Sequence, residues 1–216
     1  MSDACRAAGR PVESVTLLAV SKRFPASAVR DAVDAGQRAF GENLVQEGLE
    51  KIEALAGLHE RLQWHLIGPL QSNKSRAVAE HFDWVHSIDR EKLAERLSAQ
   101  RPSGLAPLQV CIQVNVSGEA SKAGVAPQDA RALAQAVAAL PGLRLRGLMA
   151  IPAPHETHEA QRASHRALRT IFDALRAEGL DLDTLSMGMS DDLEAAVAEG
   201  STIVRVGTAI FGARAA

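Results

Sequence analysis

Eight short apolar runs, each followed by a longer amphipathic stretch, set the strongest limit on how this chain can fold. The runs lie near residues 15–21, 38–41, 63–67, 84–87, 108–115, 143–149, 183–186 and 202–206. Helical patterns fall between them, near 25–36, 43–56, 72–80, 90–100, 127–139, 157–178 and 190–198. Val29, Ala32 and Val33 recur at helical spacing, as do Leu168, Ile171, Phe172 and Leu175. Breakers separate the elements at Gly36, Gly57, Gly104 with Pro107, Pro141-Gly142, Gly179 and Gly200. Strands alternating with helices make parallel sheets, and eight such units point to a closed (β/α)8 TIM barrel, with an open doubly wound sheet as the alternative. At 216 residues the chain is at the short end for a barrel, so insertions must be few. No linker, repeat or low-complexity segment divides it, and one domain over 1–216 is expected.

The bulk chemistry removes several classes of function. A net charge of −2, with Lys and Arg scattered along the chain, offers no general attraction to nucleic acid or to an anionic membrane. No apolar run approaches the roughly 20 residues of a membrane span, and Met1–Arg6 lacks the apolar core of a signal peptide. A cytoplasmic location is expected. Cys5 and Cys111 are too few for a disulfide framework, and Cys111 reads as a small core residue. The chain has no tyrosine, so no phenolic acid can act within it.

Barrel enzymes draw their active sites from the C-terminal ends of the strands. Taken in order, those positions here are Lys22, Asn43, His65, Ser87, Asn115, Met149, Ser186 and Arg205. None is a carboxylate, which speaks against a metal-dependent hydrolase, and no metal site is expected. Closure of a barrel brings its first strand beside its last, so Lys22 should lie near the Gly207-Thr208 turn. Segments 186–190 and 205–212 carry glycines whose neighbouring backbone N–H groups can hold a phosphate, and barrels often bind phosphate after strands 7 and 8. A lysine able to form an imine beside a phosphate cradle points to pyridoxal 5′-phosphate. Arg205 cannot surrender a proton, so beside the ring it would keep the pyridine nitrogen unprotonated and weaken the cofactor as an electron sink.

These segments also resemble a known family. Ala19-Val20-Ser21-Lys22, Phe40-Gly41-Glu42-Asn43 and Trp64-His65-Leu66-Ile67-Gly68-Pro69 are similar to the pyridoxal phosphate homeostasis proteins. So are Gly147-Leu148-Met149, Ser186-Met187-Gly188-Met189-Ser190 and Val204-Arg205-Val206-Gly207-Thr208. The resemblance covers Val15 to Gly212. It implies a barrel like the N-terminal domain of alanine racemase, with pyridoxal phosphate carried as a Schiff base and no established catalytic cycle. It further implies a role in balancing vitamin B6 vitamers and amino acids, in a monomer or weak homodimer. Residue by residue, it puts the imine on Lys22, the ring nitrogen on Arg205, the phosphate on Ser186, Gly207 and Thr208, Asn43 beside the ring, and His65 on the pocket wall. Family members begin with a full helix before the first strand, so residues 1–14 read as a shortened remnant of one, with weakened packing at one side of the barrel.

Plainer roles compete with these. Asn43 could cap the following helix, and Ser190 could be an N-cap with acids in the first helical turn. Arg205 could pair with an acid at the barrel end. Lys74 reads as a surface amine, and Met187 and Met189 as packing residues. His155, His158 and His165 share a helix face, but the last lies about 10 Å beyond its neighbour, so they read as solvated side chains and not metal ligands. The rival activities are an amino-acid racemase or lyase on the same barrel, and a sugar-phosphate enzyme with no cofactor.

Overall fold

The computed structural model describes residues 1–119 and 122–212. Its strands are β1 Thr16–Val20, β2 Ala39–Glu42, β3 Gln63–Leu66, β4 Trp84–Ile88, β5 Leu108–Gln113, β6 Leu143–Met149, β7 Thr184–Ser186 and β8 Ile203–Val206. They pair in parallel in sequence order, and β1 returns to β8 with Leu18 opposite Arg205 and Ala19 opposite Val206. That pairing closes the barrel and excludes the open sheet.

The helices are α1 Ser2–Ala7, α2 Ala26–Asp34, α3 Val45–Ala54, α4 Ser75–His81, α5 Glu91–Gln100, α6 Ala130–Ala138, α7 His158–Ala177, α8 Leu193–Ala198 and a single turn α9 Thr208–Phe211. Each of the longer ones buries the stripe its spacing predicts. In α7, for example, Leu168, Phe172 and Leu175 turn inward.

Alternation along the strands builds two cores. Phe40, Trp64, Leu66, Val85, Ile112 and Leu148 point outward and pack under the helices with Val29, Leu93, Leu97 and Leu168. Each such side chain, fully buried, contributes about 1.5–3 kcal/mol relative to exposure. Inside the barrel, Leu18, Val20, Ala39, Ile67 and Ile203 form one apolar cluster, while Trp84, Cys111 and Met149 form another. The interior is filled, as small parallel barrels require, and the site can only lie at one end. Both cysteines are buried and unpaired, and burial pushes the Cys111 thiol up.

Several local expectations are corrected. Helix α3 starts after Leu44, and no side chain caps it, so Asn43 is not its cap. Helix α8 has Asp192 and not Ser190 at its N-cap position, with no side-chain cap bond; the Asp192 carboxylate instead accepts Met189 N–H, Oδ1 at 2.6 Å. His165 is not solvated. It is fully buried, with Nε2 3.0 Å from Asp192 Oδ2. Met187 packs in the core, whereas Met189 is 39% exposed. The N-terminal helix is present over six residues, and its Ala4 and Cys5 pack on Val15, Val197 and Val204. Among the described residues no helix is long and apolar enough to cross a membrane, and no three metal-ligating side chains gather.

Candidate functional site

A cavity of about 550 Å³ opens at the C-terminal end of the barrel. Lys22 and Phe24 enter it from the β1–α2 turn, Asn43 from the end of β2, and Arg205 with Gly207, Thr208 and Ala209 from β8 and α9. Met189, Ser190 and Asp191 close the side after β7, and Val20, Ile67 and Ile151 supply apolar wall. Lys22 and the Gly207-Thr208 corner therefore face one space, as barrel closure requires. Pairing of β1 with β8 is the cause, and Gly207 lies so close that a Cβ there would stand 3.2 Å from the Val20 carbonyl oxygen.

Two expected residues do not reach this space. His65 and Ser186 are both fully buried and lie below the cavity, within their strands. Lys22 and Asn43 lie beyond the last residues of β1 and β2, which is why they reach it. Arg205 is also inside its strand, but its long side chain extends upward. Ser186 holds Arg205: Arg205 Nη1 donates to its Oγ at 2.9 Å and to its carbonyl at 2.7 Å, while Nη2 donates to the Ala150 carbonyl at 2.9 Å. No acid pairs with Arg205 as a salt bridge among the described residues. Burial lowers it to about 10, which still leaves it charged at neutral pH.

Behind Ser186 runs a chain of rings. His86 Nδ1 lies 2.8 Å from Ser186 Oγ, and His86 Nε2 lies 2.9 Å from His65 Nδ1. His65 stacks on Trp84, with ring centroids 5.2 Å apart. Burial drives His65 down to about 3, and burial with neighbouring His65 and Arg205 drives His86 well below its ordinary value. Both rings are neutral, so each carries one N–H and the hydrogen bonds run in one direction through the chain. The outer atom, His65 Nε2, has no partner.

A different network backs Lys22. Lys51, on α3, is buried and donates to the Ser21 carbonyl at 2.6 Å, Glu42 Oε1 at 2.7 Å and Glu47 Oε1 at 2.9 Å. Three donated bonds require the ammonium form. Ser21 Oγ also donates to Glu42 Oε1, at 2.5 Å, and Arg23 N–H donates to Glu47 Oε1. Burial raises Glu42, against the lowering pull of its bonds to Lys51 and Ser21. Helix α3 can carry Lys51 this close because residue 48 is glycine: a Cβ there would sit 2.5 Å from Phe82 Cζ. Arg23 is the only non-glycine with positive φ among the described residues, at 65°, a conformation that costs about 1–2 kcal/mol.

The loop after β7 is held from below as well. Gly188 has φ 94°, and a Cβ on it would meet the Ala196 Cβ at 2.5 Å, so only glycine turns the chain here. Its carbonyl accepts from Arg205 N–H at 2.9 Å. Burial alone would raise Asp192, but bonds from His165 and Met189 N–H carry it below the ordinary carboxylate range.

Sequence reasoning overlooked His86, Lys51, Glu42, Glu47 and the cavity-facing role of Ser190. For His86 a signal existed: it shares the inward face of β4 with Trp84, two residues away.

A closed parallel barrel with a lysine after its first strand and an arginine on its last belongs to a known class. The family model described as alanine racemase, N-terminal domain, matches residues 5–215. Curated relatives include the pyridoxal phosphate homeostasis protein of Pseudomonas aeruginosa, 63% identical over 98% of this chain and 90% of that protein. That of Escherichia coli K12 is 58% identical over 99% and 92%. The chain belongs to the pyridoxal phosphate homeostasis protein family. Among solved structures, PipY of Synechococcus elongatus PCC7942 with PLP bound superposes with a TM-score of 0.85 at 43% identity, covering 97% of both chains. An alanine racemase of Clostridium difficile shares the fold at 12% identity and a TM-score of 0.79, over 55% of its own length.

Proposed function

We propose that this chain binds pyridoxal 5′-phosphate at the Lys22 cavity and carries it reversibly, as part of the balance of B6 vitamers and amino acids, without running a catalytic cycle of its own. One observation carries the reading: an amine, a guanidinium and a glycine–threonine corner line a single cavity of suitable size. The residues fit the cofactor on a further point. Asn43 Oδ1 is buried in the cavity wall without a hydrogen-bond partner, so the wall holds a polar group that a ligand can satisfy.

When bound, the cofactor supplies an aldehyde that condenses with an amine, losing one water, and that water or a second amine can reverse. Lys22 would supply that amine. Arg205, fixed by Ser186 and Ala150, would hold the ring nitrogen with a group that gives up no proton. Ser190, Gly207 and Thr208 would hold the phosphate, and the first amides of α9 have no partner within that turn. Asn43 would sit beside the ring. Absence of tyrosine from the chain removes the phenolic base a two-base racemase could use, and among the described residues Asp191 is the only carboxylate lining the cavity.

Absorption spectra before and after adding pyridoxal phosphate, followed by borohydride reduction and peptide mapping, test this. The expected result is one stable tag, on the peptide holding Lys22 and absent from Lys22→Ala. A tag on Lys74, Lys122 or no lysine sinks the assignment. Robust loss of optical activity from an amino acid, dependent on Lys22, would replace the carrier with the racemase.

A further inference from the structure

We propose that Lys51 is a positioning residue for Lys22, acting through the two peptide groups that flank it. Lys22 sits between Ser21 and Arg23 on the turn from β1 to α2. On one side, Lys51 Nζ grips the Ser21 carbonyl at 2.6 Å. On the other, Glu47 accepts the Arg23 N–H and is itself bound to Lys51 at 2.9 Å. Glu42 joins the two halves, receiving Lys51 at 2.7 Å and the Ser21 hydroxyl at 2.5 Å. None of Lys51, Glu42 and Glu47 lines the cavity, and their bonds described above run to the peptide groups on either side of Lys22.

Stability alone does not account for this arrangement. Buried ion pairs are commonly no more stabilising than apolar side chains of the same volume. What the charged network adds is direction, because it fixes a carbonyl and an amide on either side of one residue. It does so where the backbone is strained, with Arg23 at φ 65°, a conformation that persists only when its surroundings overdetermine it. A misplacement of about 1 Å at a reacting group can slow a reaction by about a hundredfold, so holding the turn governs how fast Lys22 captures an aldehyde.

The inference rests on covalent capture at Lys22, and the test separates the two. Native protein, Glu47→Ala, Glu47→Gln and the double variant Lys51→Met/Glu42→Gln are mixed with pyridoxal phosphate, and borohydride-trapped product is followed with time. In parallel, each is titrated with pyridoxine 5′-phosphate, which keeps the ring and phosphate but has no aldehyde. Glu47 is partly exposed, and its loss leaves Lys51 still paired with Glu42, so this variant folds. We expect capture to slow about tenfold or more in Glu47→Ala and in the double variant. Pyridoxine 5′-phosphate affinity should stay within about twofold of native. Glu47→Gln, which keeps an acceptor for the Arg23 amide, should recover most of the rate. Native capture rates in folded Glu47→Ala overturn the inference, and so does an equal loss of capture and of pyridoxine 5′-phosphate binding. Failure of the native protein to capture the aldehyde overturns the carrier reading instead.

Discussion

Behind Lys22 the polar groups are joined as salt bridges, whereas behind Arg205 they are uncharged rings and a hydroxyl. Lys51, Glu42 and Glu47 form a short-range knot between the barrel wall and α3, and they hold peptide groups. His65, His86 and Ser186 form a chain across the barrel interior, and they hold a side chain. The difference follows from what each must hold. A strained turn needs strong directional bonds to its backbone. A buried guanidinium already supplies the charge on its side, and a second cation beside it would repel it.

The sharpest way to break this contrast is to remove one charge alone. Lys51→Met leaves Glu42 buried with no cation, and we expect a loss of about 3–5 kcal/mol in denaturant unfolding. Pairing it with Glu42→Gln should return much of that loss. A single variant as stable as native would mean the knot is not an ion pair.

The neutral chain should respond less. His86→Leu leaves Ser186 Oγ and His65 Nδ1 without the ring between them, at a cost of about 1–3 kcal/mol. Its pH signature is the more telling measurement. His65 and His86 lie below the ordinary 6.5 in the folded protein, so the unfolded chain takes up protons first as acid is added. Their contribution is complete above pH 6.5 and declines as the pH falls below it, toward about 3 for His65, by up to about 1.4 kcal/mol per pH unit for each ring. Melting curves across that window should flatten in His86→Leu. Glu42 is raised, so its contribution has the opposite sign: it is present below the ordinary carboxylate value and fades as the pH rises through the folded one. An unchanged acid slope in His86→Leu would mean that ring is charged in the folded state.

The smallest effect sharpens the account of the strained turn. Arg23→Gly relieves a left-handed conformation at some cost in chain entropy, for a net gain of about 0.5–1 kcal/mol by thermal unfolding. A loss of stability would show that the turn at Arg23 is not strained.

Much of this molecule was legible before any coordinates. Each of the eight strands falls where its apolar run does, because a strand buried on both faces must be apolar almost throughout. Lys22, Asn43, Gly207 and Thr208 were legible too, since residues just past a strand end stand at the barrel mouth and have nowhere else to point. Ser186 and His65 stand one step short of the cavity that their position along the chain suggested. Both fall within their strands, where a short side chain stays inside the barrel. Asn43 and Ser190 looked like helix caps because their residue types suit caps, but the backbone begins each helix a residue or more later.

By itself, then, the sequence determined the alternation of elements, the closure that brings first and last strands together, and the placement of Lys22 and the Gly207-Thr208 corner on one cavity. Those follow from periodicity and from position along a strand, which are local properties. Only the tertiary structure decided what stands behind them. His86 meets Ser186 from 100 residues away, and Lys51 reaches the Ser21 carbonyl from 30. Partners of that kind are selected by distance in space and by exclusion of water, and neither is written in the order of the residues.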